Sequence, residues 1–502
     1  MPAAPRSPIW TNVGAGLAVA ALAYATVMAF LFVHGRTPRH RAEAAWFIAA
    51  GIALVVMAIT SNPSPLPKEL QADGRRARPI ALGLFVSASL ALYFPVLSTG
   101  LFSDDFVLID RASSGLLTMG TEFFRPLPML VWAGAAQLGD TSAVVLHAVN
   151  VCVHGLNAWL VYLIAREIGL TRGWSIAAAA LFLASASSVE AVTWISALFD
   201  VLMLAGVLTY VLACLKARHV MALAGLAIAL LSKETGVVAA LLGFLVAASG
   251  RRSLRIPFIG VALTVVFTGV RILLLPPPDT YFATPSRYAL KELLSRSFGA
   301  LGLPWTAFDM AAYPWLTALP WLALAVLMAT AVVARVSRRS VAMVFALMAW
   351  VIASVLPAYQ YFYVSPALEG SRYLYLGTAA FSLLLTTLAA TAPAGPPKIL
   401  AVTALVAASA SGTVGVLVHQ RAWVSAALQR ESVLRAAREN LPSANCPSVS
   451  VNGLPDSYEG AYVFRNGFRE ALRMYRIDVT ALVATDAACE YEWTGSQFVR
   501  RK

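Results

Sequence analysis

The sequence predicts an all-α polytopic membrane protein with a small C-terminal α/β domain outside the cytoplasm. Three observations predict it. Apolar stretches of membrane-crossing length recur along most of the 502 residues. The residues are 59% hydrophobic and only 13% charged, against about half and about a quarter in a soluble domain. The stretch 420–502 alone breaks the pattern and is polar.

A helix needs about 20 apolar residues to cross a bilayer. Such stretches lie near 13–33, 44–61, 80–98, 142–164, 174–190, 197–215, 220–232, 235–249, 256–275, 318–334, 341–356, 373–391 and 399–418, about thirteen spans. The first is too long for a signal-peptide core and is expected to be retained. The pair 220–232 and 235–249 is short, as half-helices meeting inside a cavity would be. Three regions follow: 1–79 with two N-terminal helices and a linker, 80–419 as the transmembrane core, and 420–502 as the small domain.

The net charge of +13 does not point to nucleic acid, because the basic residues lie in short clusters between apolar spans. Arg75, Arg76 and Arg78, then Arg166 and Arg172, Lys216 and Arg218, Arg251, Arg252 and Arg255, and Arg335, Arg338 and Arg339 all fall on one side if the spans alternate. That side is expected to be cytoplasmic. Arg36, Arg39 and Arg41 disagree, so the first two spans fit the scheme least well. Loops 99–141, 276–317 and 357–372 and the tail then face outward.

An amphipathic helix is expected near 286–301. The tail reads as a helix near 421–439, a strand near 448–452, a helix near 459–474 and strands near 477–484 and 489–493. Cys152 and Cys214 lie in spans and read as packing residues. Cys446 and Cys489 lie in the outward tail, where pairing would support so small a domain.

The chemistry-bearing residues cluster at the outer ends of spans. Asp104 and Asp105 follow the third span. Two adjacent carboxylates repel, which keeps one less acidic and suits it to act as a general base. Asp105 is preferred because it lies deeper into the loop; the alternative is two solvated loop acids. Arg125, in Phe124-Arg125-Pro126, reads as a phosphate ligand or as a residue snorkelling to headgroups. His147, Asn150, His154 and Asn157 share one helix face. Interhelical hydrogen bonding is the first reading of that stripe and a substrate cavity the second. Glu190 and Asp200 flank an outward turn, and Lys233 and Glu234 sit between the two short spans. Ionisable groups in such places are costly and tend to mark sites. Arg372 opens a span, with Tyr373 after it and Tyr359, Tyr361 and Tyr363 before it, as belt residues or as sugar-facing surfaces.

No nucleotide-binding glycine loop, HExxH or CxxC is present in the sequence, so a cytosolic nucleotide-dependent enzyme is not expected.

In order, the chain carries Asp104-Asp105, Phe124-Arg125-Pro126-Leu127, His147-Ala148-Val149-Asn150-Val151, Glu190-Ala191-Val192-Thr193-Trp194-Ile195 with Asp200, Leu231-Ser232-Lys233-Glu234, and Ser371-Arg372-Tyr373-Leu374-Tyr375-Leu376. This series resembles the membrane region of the transmembrane TPR-containing O-mannosyltransferases and their bacterial relatives in the GT-C glycosyltransferase superfamily, over about residues 80–390. The resemblance implies a GT-C-like core that takes a sugar from a polyprenyl-phosphate donor and works on the outer face, in a bacterial inner membrane facing the periplasm. It implies an activating Asp at Asp104 or Asp105 and phosphate-neutralising cations at Arg125, Lys233 and Arg372. His147, Asn150, His154, Glu190, Asp200, Glu234 and Tyr373 would line the substrate cavity.

Two departures stand out. Ser185 and Ser188 replace the histidines of the eukaryotic relatives, and no TPR array is present. The acceptor is therefore left open among glycan, glycolipid and protein. The partners expected are membrane lipids and the lipid-linked donor, which is also the only cofactor expected. No metal ligands are picked out, and a divalent-metal requirement is left open. The rival readings are a multi-pass transporter, a lipid-linked glycan flippase or polymerase, and a membrane scaffold.

Overall fold

The computed structural model describes residues 77–116, 123–275, 301, 338–355, 364–365, 367–441, 446–477, 482–483 and 487–501. The spans expected near 13–33, 44–61 and 318–334, the helix expected near 286–301 apart from Leu301, and Tyr359, Tyr361 and Tyr363 lie outside the described residues.

Among the described residues, five helical stretches are long and apolar enough to cross a membrane: Ser142–Glu167, Ile195–Lys216, Arg255–Leu274, Ser371–Thr391 and Pro396–Asn440. Arg172–Leu183 and Ala186–Thr193 add a sixth if taken as one span bent by 53°. Shorter apolar helices complete the bundle.

In chain order the helices are α1 (Ala77–Leu92), α2 (Asp104–Ser113), α3 (Pro126–Ala136), α4 (Ser142–Glu167), α5 (Arg172–Leu183), α6 (Val189–Thr193), α7 (Leu198–Lys216), α8 (His219–Ser232), α9 (Val238–Ser249), α10 (Arg255–Leu274), α11 (Arg338–Val355), α12 (Tyr375–Thr391) and α13 (Pro396–Asn440). Region 99–141, expected as a loop, holds two helices. Pro126 begins α3 in the first turn, where its missing N–H leaves no bond unmade.

Lipid supplies no hydrophobic drive between helices, so close approach of backbones has to hold the bundle. Small residues permit it. A Cβ on Gly206 of α7 would stand 2.3 Å from Ala229 N, and one on Gly225 of α8 2.6 Å from Tyr210 N.

The polar stripe of α4 follows its first reading. His147, Asn150, His154 and Asn157 are fully buried. His147 Nε2 donates to Gly100 O at 2.9 Å. Asn150 Nδ2 donates to Trp194 O at 3.0 Å, and Asn157 Nδ2 to Val201 O at 3.0 Å. His154 Nδ1 lies 2.8 Å from the Tyr375 hydroxyl. His147, Asn150 and His154, expected also on a substrate cavity, are here engaged in bonds between segments. An apolar bundle makes an unpaired polar group costly, so each is tied to a neighbouring segment.

The tail departs from expectation at its root. A span near 399–418 and a separate helix near 421–439 were expected, and α13 runs unbroken over both for 45 residues. His419-Gln420-Arg421 marks a change of polarity, and polarity alone does not end a helix. Beyond it come β1 (Val449–Asn452), β2 (Ser457–Tyr458), β3 (Ala461–Tyr462), α14 (Phe468–Met474), β4 (Cys489–Trp493) and β5 (Phe498–Arg500). Strand β1 pairs parallel with β4, and β4 antiparallel with β5.

The helix expected over 459–474 forms only in its second half. Gly460 and Gly467 adopt left-handed φ of 86° and 80°, so the first half turns back as the β2–β3 hairpin. Of the strand expected over 477–484, the described residues show one bridge, Leu482 to Val449. The Cys446–Cys489 disulfide is present.

The tail and the bundle share one hydrophobic core. Phe464 stacks on Phe106 with ring centres 6.0 Å apart, and Ser103 N donates to Val463 O at 3.0 Å.

Candidate functional site

The two aspartates at the start of α2 part company. Asp105 is fully buried. Its Oδ2 accepts the Phe102 N–H at 2.9 Å. Its Oδ1 accepts the Ser196 N–H at 2.8 Å and the Ser196 hydroxyl. Burial pushes its carboxyl up to about 7, against the opposing pull of the Ser196 and Phe102 hydrogen bonds. Asp105 thus pins the turn before α2 to the turn before α7. Asp104 is only half-buried, and its Oδ1 accepts one hydrogen bond from Asn466 Nδ2 at 2.7 Å. Of the pair, Asp104 has the more exposed carboxylate, whereas the sequence led to a preference for Asp105. Position along the loop says nothing about which side chain the fold encloses.

The three cations expected at the outer ends of spans each sit against a carboxylate. Arg372, one turn before α12, pairs with Glu190 of α6. Glu190 Oε2 also accepts the Arg372 N–H at 3.0 Å, and Tyr462 donates to Oε1 at 3.1 Å. Lys233 Nζ, at the end of α8, lies 2.5 Å from Asp200 Oδ1 in the first turn of α7. Arg125, just before α3, donates from Nε and Nη2 to Glu234 Oε2 at 2.9 and 2.6 Å.

Aromatic rings join these pairs into one array. The Tyr373 ring has the Arg372 guanidinium 4.6 Å from its centre and Lys233 Nζ 4.7 Å from it. Arg372 also covers the Trp194 ring at 4.8 Å, and Arg125 covers Phe199 at 5.0 Å. Residues far apart in sequence therefore converge at one end of the bundle. At the other end, Lys216 and Arg252 gather round Glu167 at 3.2 and 4.0 Å, as the basic loops lead one to expect.

Several members of the site were not picked from the sequence. Arg271 Nη2, at the end of α10, lies 3.8 Å from Glu234 Oε1. An ionisable residue at the end of an apolar helix is the same signal that singled out Lys233 and Arg372. Ser196, Tyr462 and Asn466 carried no such signal, since ordinary polar residues acquire meaning only from what the fold sets beside them.

A small, mostly apolar pocket lies next to Glu234 and Arg271, walled by Phe124, Leu230, Val237 and Phe267. Another small pocket lies between Glu190 and Ser371 on the bundle side and Trp423 and Gly460 on the tail side. Among the described residues, no three His, Cys, Asp or Glu side chains are grouped to hold a metal ion.

No family model and no curated protein matches the chain. Among solved structures, it is similar to ArnT from Cupriavidus metallidurans bound to undecaprenyl phosphate. The identity is 14% over 82% of this chain and 93% of that chain, with a TM-score of 0.44. So loose a likeness assigns no roles, and the roles rest on this chain's own side chains.

Proposed function

We propose that this chain is a membrane glycosyltransferase of GT-C type. It would move a sugar from a polyprenyl-phosphate donor to an acceptor hydroxyl at the outer face of the membrane. The observation that carries the reading is the array of Arg372, Lys233 and Arg125 around Tyr373 and Phe199, at the same bundle end as an accessible carboxylate and an apolar cavity. A lipid phosphate needs cations at headgroup depth, its chain needs apolar walls, and the acceptor needs a base.

In this reading Asp104 takes the proton from the acceptor hydroxyl. The acceptor oxygen forms the new bond to the anomeric carbon as the bond from that carbon to the phosphate oxygen breaks. The electron pair of that bond leaves with the phosphate. The transition state resembles an oxocarbenium ion, and negative charge grows on the phosphate. Fixed cations beside that phosphate stabilise this state more than the ground state. Glu190, Asp200 and Glu234 hold the cations in place before the donor arrives. The apolar wall of the pocket beside Arg271 and Glu234 would meet the first part of the lipid chain.

In this reading the acceptor is a hydroxyl of a glycan, glycolipid or protein. With the basic clusters at the opposite end of the bundle, the site would face the periplasm in a bacterial inner membrane. A reporter active only outside the cytoplasm, fused after Lys502, should then be active.

The deciding assay is transfer by purified protein in detergent from a defined polyprenyl-phosphate sugar, paired with mass spectrometry of glycans and glycolipids from a deletion strain. Loss of one glycosylated product in the strain and its formation in vitro are expected. An unchanged glycan profile with altered distribution of a lipid-linked sugar between leaflets would favour the flippase reading instead.

A further inference from the structure

The tail does more than sit on the bundle. Segment 457–467 reaches the charged array at two places. Tyr462 donates to Glu190 Oε1 at 3.1 Å and accepts from Arg372 Nη1 at 2.9 Å. Four residues on, Asn466 Nδ2 donates to Asp104 Oδ1 at 2.7 Å, and Asn466 N donates to Ser103 Oγ at 3.1 Å.

The backbone is built to allow this approach. Gly467, at a φ of 80°, packs so closely that a Cβ would stand 2.3 Å from Ser103 O. Gly460, at 86°, packs likewise on Ala367 O at 2.4 Å. Arg465 fixes the segment from outside, donating from Nε to Asp456 Oδ1 at 2.9 Å and pairing through Nη1 with Glu369.

The turn before Asp104 is also gripped from the tail side. Arg430 of α13, 3% exposed, donates from Nη1 to Thr99 O at 2.7 Å and to Leu101 O at 2.8 Å. Gly100, with a φ of 78°, leaves room for that guanidinium.

We propose that Asn466 is a positioning residue for the proposed base Asp104, so that the 457–467 segment is part of the catalytic centre. The proposal rests on the glycosyltransferase reading above. A half-buried carboxylate next to a second one has no other fixed donor from its own loop among the described contacts. The Asn466 amide holds one oxygen and leaves the other for the acceptor hydroxyl. Removing a charge-assisted hydrogen bond of this kind costs about tenfold or more in whatever equilibrium it supports. That cost would fall on turnover, because Asn466 touches neither the cation array nor the apolar cavity.

The test measures transfer with purified full-length protein and a polyprenyl-phosphate sugar. Asn466→Ala and Asn466→Asp are expected to lower kcat about tenfold or more with donor KM unchanged. Asp104→Glu displaces the carboxylate by one methylene and so breaks the contact already. In that background Asn466→Ala should cost less than about twofold. Damage to the fold would instead multiply with the Asp104 substitution and shift KM.

Hydrogen exchange reads the contact without turnover. Amides over 102–108 should exchange faster in Asn466→Ala, in Asp104→Ala and in the double variant, to the same extent. Active wild type with unmoved kcat and unmoved exchange in Asn466→Ala would overturn the proposal alone. Wild type without any transfer activity would overturn the functional reading and the proposal with it.

Discussion

Lys233 Nζ stands 2.5 Å from Asp200 Oδ1, with both side chains less than a tenth exposed. Removing one member of such a pair strands a buried charge, at a cost of about 3–5 kcal/mol. Lys233→Met should therefore lower the melting temperature in detergent as well as abolish transfer. Lys233→Met combined with Asp200→Leu removes both charges, so it should regain most of the lost stability. Transfer should stay absent, because the cation that meets the phosphate is still missing. Wild-type rates in Lys233→Met would take this residue out of the site.

The aspartates of α2 should answer differently to the same substitution. Asp104→Asn keeps size and fold but loses the base, and transfer should fall about 10²–10⁴-fold. Asp105→Asn should act on stability, because an amide nitrogen then faces the Phe102 N–H. One lost buried hydrogen bond costs about 1–3 kcal/mol. Equal loss of activity in both variants at equal stability would contradict this division.

Asp105 also predicts a pH dependence. Burial raises its carboxyl from 3.8 to about 7 in the folded protein. The folded state thus holds this proton more tightly than the unfolded chain. The associated stability is complete below about 4 and is lost as pH rises toward about 7. Melting temperatures measured from pH 4 to pH 8 should carry that slope in wild type. Asp105→Asn cannot ionise there and should lack it, and an identical slope in the variant would assign the titration to another group.

Arg372 should not tolerate lysine. Its guanidinium bonds Glu190 and the Tyr462 hydroxyl while covering the rings of Trp194 and Tyr373. A single ammonium point charge cannot fill those positions together. Arg372→Lys should lose about tenfold or more in kcat, and Arg372→Met more still. A silent Arg372→Lys would reduce the residue to a headgroup anchor.

The Cys446–Cys489 bridge closes a loop with a sequence separation of 43. Losing such a bridge costs a small domain about 2–5 kcal/mol. Since the tail carries Tyr462 and Asn466, Cys489→Ser should lower transfer along with stability. Alkylation of the denatured, unreduced protein should modify Cys152 and Cys214 and spare the tail cysteines. Four reactive thiols would show that the bridge does not form.

Much of the fold was legible in the chain because bilayer physics writes itself into composition. Apolar runs between 142 and 274 fixed the long helices to within a few residues, and ionisable residues at their ends stood out because lipid makes them expensive. Lys233 and Arg372 stood out that way, and each is paired with a buried carboxylate. The tail bridge was anticipated from the outward place expected for its two cysteines.

What composition could not carry was direction and partnership. Asp104 and Asp105 are chemically identical neighbours, and only the tertiary structure turns one into Ser196 and leaves the other beside Asn466. The stripe from His147 to Asn157 was visible as a stripe, but its partners lie on segments brought alongside by packing. Asn466 and Asp104 are 362 positions apart. Sequence by itself determined which residues must leave the lipid or pair within it, because that cost is local to each side chain. Tertiary structure decided which of them meet, because a hydrogen bond depends on ångström-scale placement of both partners and neither sequence neighbourhood encodes it.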